Sequence, residues 1–241
     1  MPVVTTALVG AAVLLGAVTQ RSTGLGFALV ASPFLVLIAG PHDGVTLGNA
    51  LSASLCAFVV LRTWRRIARR PALLLCLPAL AVVPLVARLA ADVPEAPMLV
   101  VVGSLAVRAD LVVLLSRRGA VRGGALVAVG AGALGGAMNV AAGVGGPVAA
   151  AYGVAQRWPR ETFVATMQCF LLVANASSLA VKGPPDVPGS TWLVAALALV
   201  AGAVVGERVA PRVPVDAGQR LVMAVALAGG LAAVVRGLLM L

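Results

Sequence analysis

The chain has 241 residues, of which 61% are hydrophobic, 11% charged and 4% aromatic. A soluble domain is roughly 45–50% apolar and about 25% charged, so this composition excludes one and leaves a polytopic membrane protein with little chain outside the bilayer. The net charge of +10 lies in short loops between apolar runs, and the scarcity of aromatic rings removes a stacking platform for bases, so nucleic acid is excluded as a partner.

A spanning helix needs about 20 apolar residues. Residues 3–19 make a first, barely sufficient segment, and their run lacks the basic start of a signal peptide. Residues 25–39, carrying Pro33, are short for a span and suit a half-helix or a re-entrant piece. Residues 45–61 follow, with Asn49, Ser52 and Ser54 as polar positions. A basic loop (Arg62, Arg65, Arg66, Arg69, Arg70) leads to residues 72–90, and the loop with Asp92 and Glu95 leads to 97–115. The second half repeats the plan. Its segments are 124–141, a very short 147–156, 162–181 with Gln168, Asn175, Ser177 and Ser178, then 191–206 and 219–239. Cys56, Cys76 and Cys169 sit in apolar runs at no ligand spacing, and His42 is a lone loop histidine. No metal site and no cofactor are expected.

Two stretches break the apolar pattern, Gly16 to Gly26 (G-A-V-T-Q-R-S-T-G-L-G) and Gly135 to Pro147 (G-G-A-M-N-V-A-A-G-V-G-G-P). Glycine costs about 1 kcal/mol in a helix interior and proline about 3 kcal/mol. Lipid offers no partner to a freed N–H or C=O, so breaks at this depth must be lined by protein or water. A shift of 119 residues carries Gly24 onto Gly143, Gly26 onto Gly145, Gly16 onto Gly135 and Gln20 onto Asn139. The same shift places the fourth and fifth segments on the ninth and tenth. The expected architecture is all-α, with two repeats of about five segments each, 1–120 and 121–241. Because five is odd, the second repeat is inverted in the membrane. Threading the segments alternately puts Arg21, the five arginines of residues 62–70, Arg117, Arg118, Arg122, Arg157, Arg160, Arg208, Arg212 and Arg220 on one side, against Arg88, Lys182 and Arg236 on the other. By the positive-inside rule the first side is cytoplasmic and both termini lie outside.

Paired interruptions at matching positions of two halves point to a transporter's binding site; the competing reading is close packing through small residues. A broken helix exposes N–H groups, and its N-terminus carries about half a positive charge, so the breaks suit an anion without a buried lysine. The expected substrate-binding residues are Gln20, Thr23, Gly24, Gly26, Asn139, Gly143, Gly145 and Gly146. Asn49, Ser52 and Gln168 line the path or bond between helices. Arg21 either adds charge to the site or anchors the helix at the cytoplasmic face. Arg108 and Asp110, two apart in one segment, either serve the anion and a coupling proton or form structural pairs near a helix end.

The stretches Thr19 to Phe34 (T-Q-R-S-T-G-L-G-F-A-L-V-A-S-P-F) and Gly132 to Val148 (G-A-L-G-G-A-M-N-V-A-A-G-V-G-G-P-V), with Pro159, Arg160 and Thr166 beyond, resemble the sulfite exporter TauE/SafE family. Phe27-Ala28 stand where further glycines are common in that family. The resemblance covers the whole chain and implies a small transporter of the bacterial inner membrane, moving sulfite, sulfoacetate, another organosulfonate or a related small anion. A coupling proton or sodium ion is a possible partner. Two other classes compete. A membrane-embedded enzyme would need a zinc H-E-x-x-H, a nucleophile elbow, a phosphate loop or paired carboxylates, and the sequence has none of these. A non-transporting subunit of a larger complex has no use for an inverted repeat.

Overall fold

The computed structural model describes residues 3–23, 26–117, 124–209 and 215–241. Among them there are ten α-helices and no strands: α1 (Val3–Thr23), α2 (Gly26–Ala39), α3 (Pro41–Thr63), α4 (Arg69–Ala91), α5 (Glu95–Arg117), α6 (Ala125–Ala142), α7 (Gly146–Ala155), α8 (Arg160–Lys182), α9 (Gly189–Val209) and α10 (Val215–Leu239). One 3-10 turn, Trp64–Arg66, joins α3 to α4. Each expected segment is one helix, with ends within a few residues of those expected. At about 1.5 Å per residue a 23-residue helix clears a hydrocarbon core of about 30 Å. Among the described residues six helices are long and apolar enough to cross: α1, α3, α4, α6, α8 and α9. The chain is therefore a polytopic, all-helical membrane protein. The short members are α2, with 14 residues, and α7, with 10, each following a glycine break.

Proline and glycine punctuate these helices for local reasons. Gly40 at φ +86° ends α2, and Pro41 starts α3, where its missing N–H costs nothing. Gly183 at φ +80° ends α8. The loop into α4 is fastened to α8 because Thr166 Oγ1 accepts the Ala68 N–H at 3.0 Å, and Arg66 pairs with Glu161 at 2.9 Å.

The packing interleaves the halves of the chain. One core joins α1, α2 and α3 to α9 through Val13, Phe27, Leu47 and Ala195. A second joins α6, α7 and α8 to α4 through Ala131, Tyr152, Phe170 and Leu75. Between them a third core brings α2, α5, α6 and α10 together, with Val30, Leu99, Met138 and Ala226. Further pairings are α3 with α8, α5 with α10, α2 with α10 and α5 with α7. Large apolar side chains such as Leu8, Leu73, Leu77, Leu193 and Leu197 face outward, as they do on a surface solvated by lipid rather than water.

Where two helices touch most closely the residue is glycine. A Cβ on Gly132 of α6 would stand 2.2 Å from the Leu75 carbonyl oxygen of α4, and one on Gly136 would stand 2.8 Å from Ala79 Cα. These are backbone atoms that cannot swing aside. Gly132→Val is expected to lower the thermal unfolding midpoint of the detergent-solubilised protein by several degrees or to prevent folding. Gly130→Ala, whose Cβ meets nothing within 4 Å, should leave the midpoint unchanged or raise it, because glycine costs a helix about 1 kcal/mol relative to alanine. Similar midpoints for the two variants would contradict the α4–α6 contact.

Candidate functional site: the break between α6 and α7

The last turn of α6 must end inside protein, so its terminal carbonyls need partners. Gly143 adopts φ +72°, and its N–H returns to the Asn139 carbonyl at 2.7 Å. This left-handed cap suits glycine, and a Cβ there would also press on Ser32 Oγ at 2.7 Å. Ser32 Oγ donates to the Ala142 carbonyl at 2.5 Å, and Lys182 Nζ to the Val140 carbonyl at 3.3 Å. The end of α6 is thus held by two side chains from elsewhere in the chain.

Across the break α7 begins at Gly146, with Pro147 in its first turn and no side-chain cap. Its first N–H groups are of the kind that hold anions at helix N-termini. Asn49 of α3 lies against Gly143, its Oδ1 3.6 Å from where a Cβ would stand. Asn49 is 1% exposed, and its Nδ2 has no hydrogen-bond partner among the described residues. An amide donor buried without an acceptor costs about 1–3 kcal/mol.

Behind the break runs a chain of neutral hydrogen bonds. Asn139 Nδ2 donates to Asn175 Oδ1 at 3.0 Å and to Ser178 Oγ at 3.3 Å; Asn175 Nδ2 donates to Ser52 Oγ at 2.9 Å. Asn139, Asn175 and Ser52 are all buried, as is Gln168. This chain ties α3, α6 and α8 at the level of the break without a formal charge.

At the other break Gln20 Oε1 accepts the Phe27 N–H at 3.0 Å and so caps the start of α2. Gln20 and Asn139, equivalent under the repeat, do different work: one caps the next helix, the other ties neighbouring helices. Gly26 opens α2. Gly24 and the side chains of Arg21, Thr23 and Asp110 lie outside the described residues. Arg108 is exposed on α5 and is not part of the buried group. Gly145 is placed at the break, but a side chain there would meet the Gly135 carbonyl oxygen at 2.2 Å. Its size is set by packing against α6.

Sequence reasoning passed over Ser32, Asn175, Ser178 and Lys182 as site residues. A signal existed for two of them. Gln168, Asn175 and Ser178 recur at helical spacing in an otherwise apolar segment and so share a face. Ser32 and Lys182 carry no such sign, because their partners are backbone carbonyls far away in sequence.

A family model described as sulfite exporter TauE/SafE matches residues 8–233. No curated protein matches the chain, and no solved structure does.

Asn175 is the middle of the neutral chain, so its removal strands a donor on Asn139 and an acceptor on Ser52. Asn175→Ala is expected to cost about 1–3 kcal/mol of stability, read as a lowered unfolding midpoint. Ser177→Ala removes only a bond to the Ala174 carbonyl of its own helix and should change the midpoint little. A midpoint for Asn175→Ala equal to that of Ser177→Ala would remove the chain from the account.

Proposed function

The chain belongs to the sulfite exporter TauE/SafE family, and on that premise we propose that it is a secondary transporter of a compact anion, sulfite or a small organosulfonate, bound at the α6–α7 break. The family is one of membrane transport proteins for sulfur anions, which accords with a role other than enzyme. The observation that carries the site is the buried, unpartnered Asn49 amide against Gly143, the cap of α6, across the break from the uncapped start of α7. Both offer N–H donors to an anion. The group lacks the aromatic lining of a large apolar ligand site.

The mechanism is alternating access between the two repeats, 1–120 and 121–241, in the bacterial inner membrane, driven by a proton or sodium gradient. The helix pairings support the repeat. Moving each helix five places along the chain exchanges α1–α9 with α6–α4 and α2–α10 with α7–α5, and returns α3–α8 and α5–α10 to themselves. It also exchanges the first core with the second. The arginine distribution supports an orientation with both termini outside.

The orientation is tested by replacing Cys56, Cys76 and Cys169 and adding single cysteines at the exposed positions Arg66, Glu95 and Pro184. An impermeant thiol reagent outside intact cells is expected to label the last two and to miss position 66; labelling at 66 reverses the orientation. The function is tested by uptake of radiolabelled sulfite and sulfoacetate into liposomes holding purified protein. Asn49→Ala and Asn139→Ala, and Gln20→Ala through the cap on α2, are each expected to weaken apparent affinity by about 1 kcal/mol or more, the scale of one hydrogen bond. Lysine should not compete. Absence of anion flux under imposed proton and sodium gradients would reject the transporter reading in favour of a non-transporting subunit.

A further inference from the structure

A cavity of about 480 Å³ opens between the α2–α3 turn, the end of α4, the start of α5 and the end of α8. Its charged and polar lining is His42, Asp43, Arg88, Glu95 and Lys182. Each carboxylate also meets a partial positive charge of the backbone, and Asp43 acts in addition on the Lys182 ammonium. Asp43 Oδ1 accepts the Asp186 N–H at 3.0 Å. Glu95 is the first residue of α5, where the positive end of the helix offsets its charge. Arg88 and Lys182 stand apart from the Arg66–Glu161 salt bridge. Lys182 lines the cavity and also donates to the Val140 carbonyl in the last turn of α6, three residues before Gly143. One side chain therefore joins this cavity to the break. Its ammonium has three donors, and a bond to an oxyanion is stronger than one to a neutral carbonyl.

We propose that this cavity is an oxyanion docking site at one mouth of the transport path, with Arg88 and Lys182 as its ligands and Lys182 exchanging the Val140 carbonyl for the arriving anion. The proposal rests on the transporter reading and adds to it a second anion site outside the neutral ring. Exchange at Lys182 releases one cap of α6 beside the break, so occupancy of the mouth loosens the helix end that closes the inner site. A free anion and an anionic lipid headgroup share this chemistry, and lipid composition separates them.

The test measures sulfite and sulfoacetate flux against concentration in phosphatidylcholine liposomes, and again with phosphatidylglycerol added. Lys182→Gln and Arg88→Gln are each expected to raise the half-saturating concentration at least fivefold in both lipids, with Lys182→Arg within twofold of the wild type. Because a variant at Lys182 also disturbs α6, a second measurement uses Ala91→Cys, an exposed lining position, in protein lacking the native cysteines. Its reaction with an impermeant maleimide should block flux, and sulfoacetate should slow the reaction where chloride does not. Wild-type flux with unchanged half-saturation in both glutamine variants, or no protection of Ala91→Cys by sulfoacetate, overturns the docking site alone. An effect of Lys182→Gln confined to phosphatidylglycerol liposomes assigns the cavity to a lipid headgroup and also overturns it. Absence of flux in the wild type overturns the transporter reading and the docking site together.

Discussion

A helix that ends inside a membrane protein must find partners for its last carbonyls, and the structure around both breaks follows from that need. At the end of α6 the partners are Gly143, Ser32 and Lys182; at the end of α2, the Leu37 carbonyl accepts from Arg236. Cations at helix C-termini also meet the negative end of the dipole. At the start of α2 the partner is Gln20. The start of α7 has no side-chain cap, and across the break the Asn49 amide, which lies against Gly143, is unpartnered. On the proposed reading, a ligand rich in acceptor oxygens satisfies both at once.

The two halves share a plan but divide its chemistry. Their equivalent residues Gln20 and Asn139 are both buried amides, yet the longer side chain reaches across its break while the shorter one turns to α8. Under the same shift Asn49 falls on Gln168, and both are nearly inaccessible. A duplicated scaffold needs matching close contacts for its two halves to pack alike, which Gly16 and Gly135 provide inside α1 and α6. It does not need matching side-chain bonds.

Much of the fold was legible in the sequence, because apolar run length and glycine–proline punctuation are local signals. All ten segments are helices of nearly the expected extent, and α2 and α7 are the short ones. The candidate site was legible only in part. Asn139, Gly143 and Asn49 were marked by polarity or by glycine in an apolar context. Ser32 and Lys182 were not, since a carbonyl partner 110 or 42 residues away leaves no pattern. The role of Gly145 was also hidden. Its neighbour is the backbone of α6, and a need for small size reads the same whether a ligand or a helix fills the space. Arg108, a charge inside an apolar segment, drew attention as a functional candidate, but its exposed position on α5 places it away from the buried group.

The absence of formal charge from the buried ring has a consequence for transport. A buried lysine or arginine would hold a small oxyanion through charge-assisted bonds roughly twice as strong as neutral ones. It would also bear a desolvation penalty whenever the site emptied. Neutral donors bind more weakly and cost less when vacant, which suits a site that must release its ligand on every cycle. On the proposed reading selectivity is retained, because Asn49 and the start of α7 present N–H groups to an anion. On the proposed reading the fixed positive charges belong where the anion first arrives and water still screens them, which is the part assigned to Arg88 and Lys182 on the cavity wall.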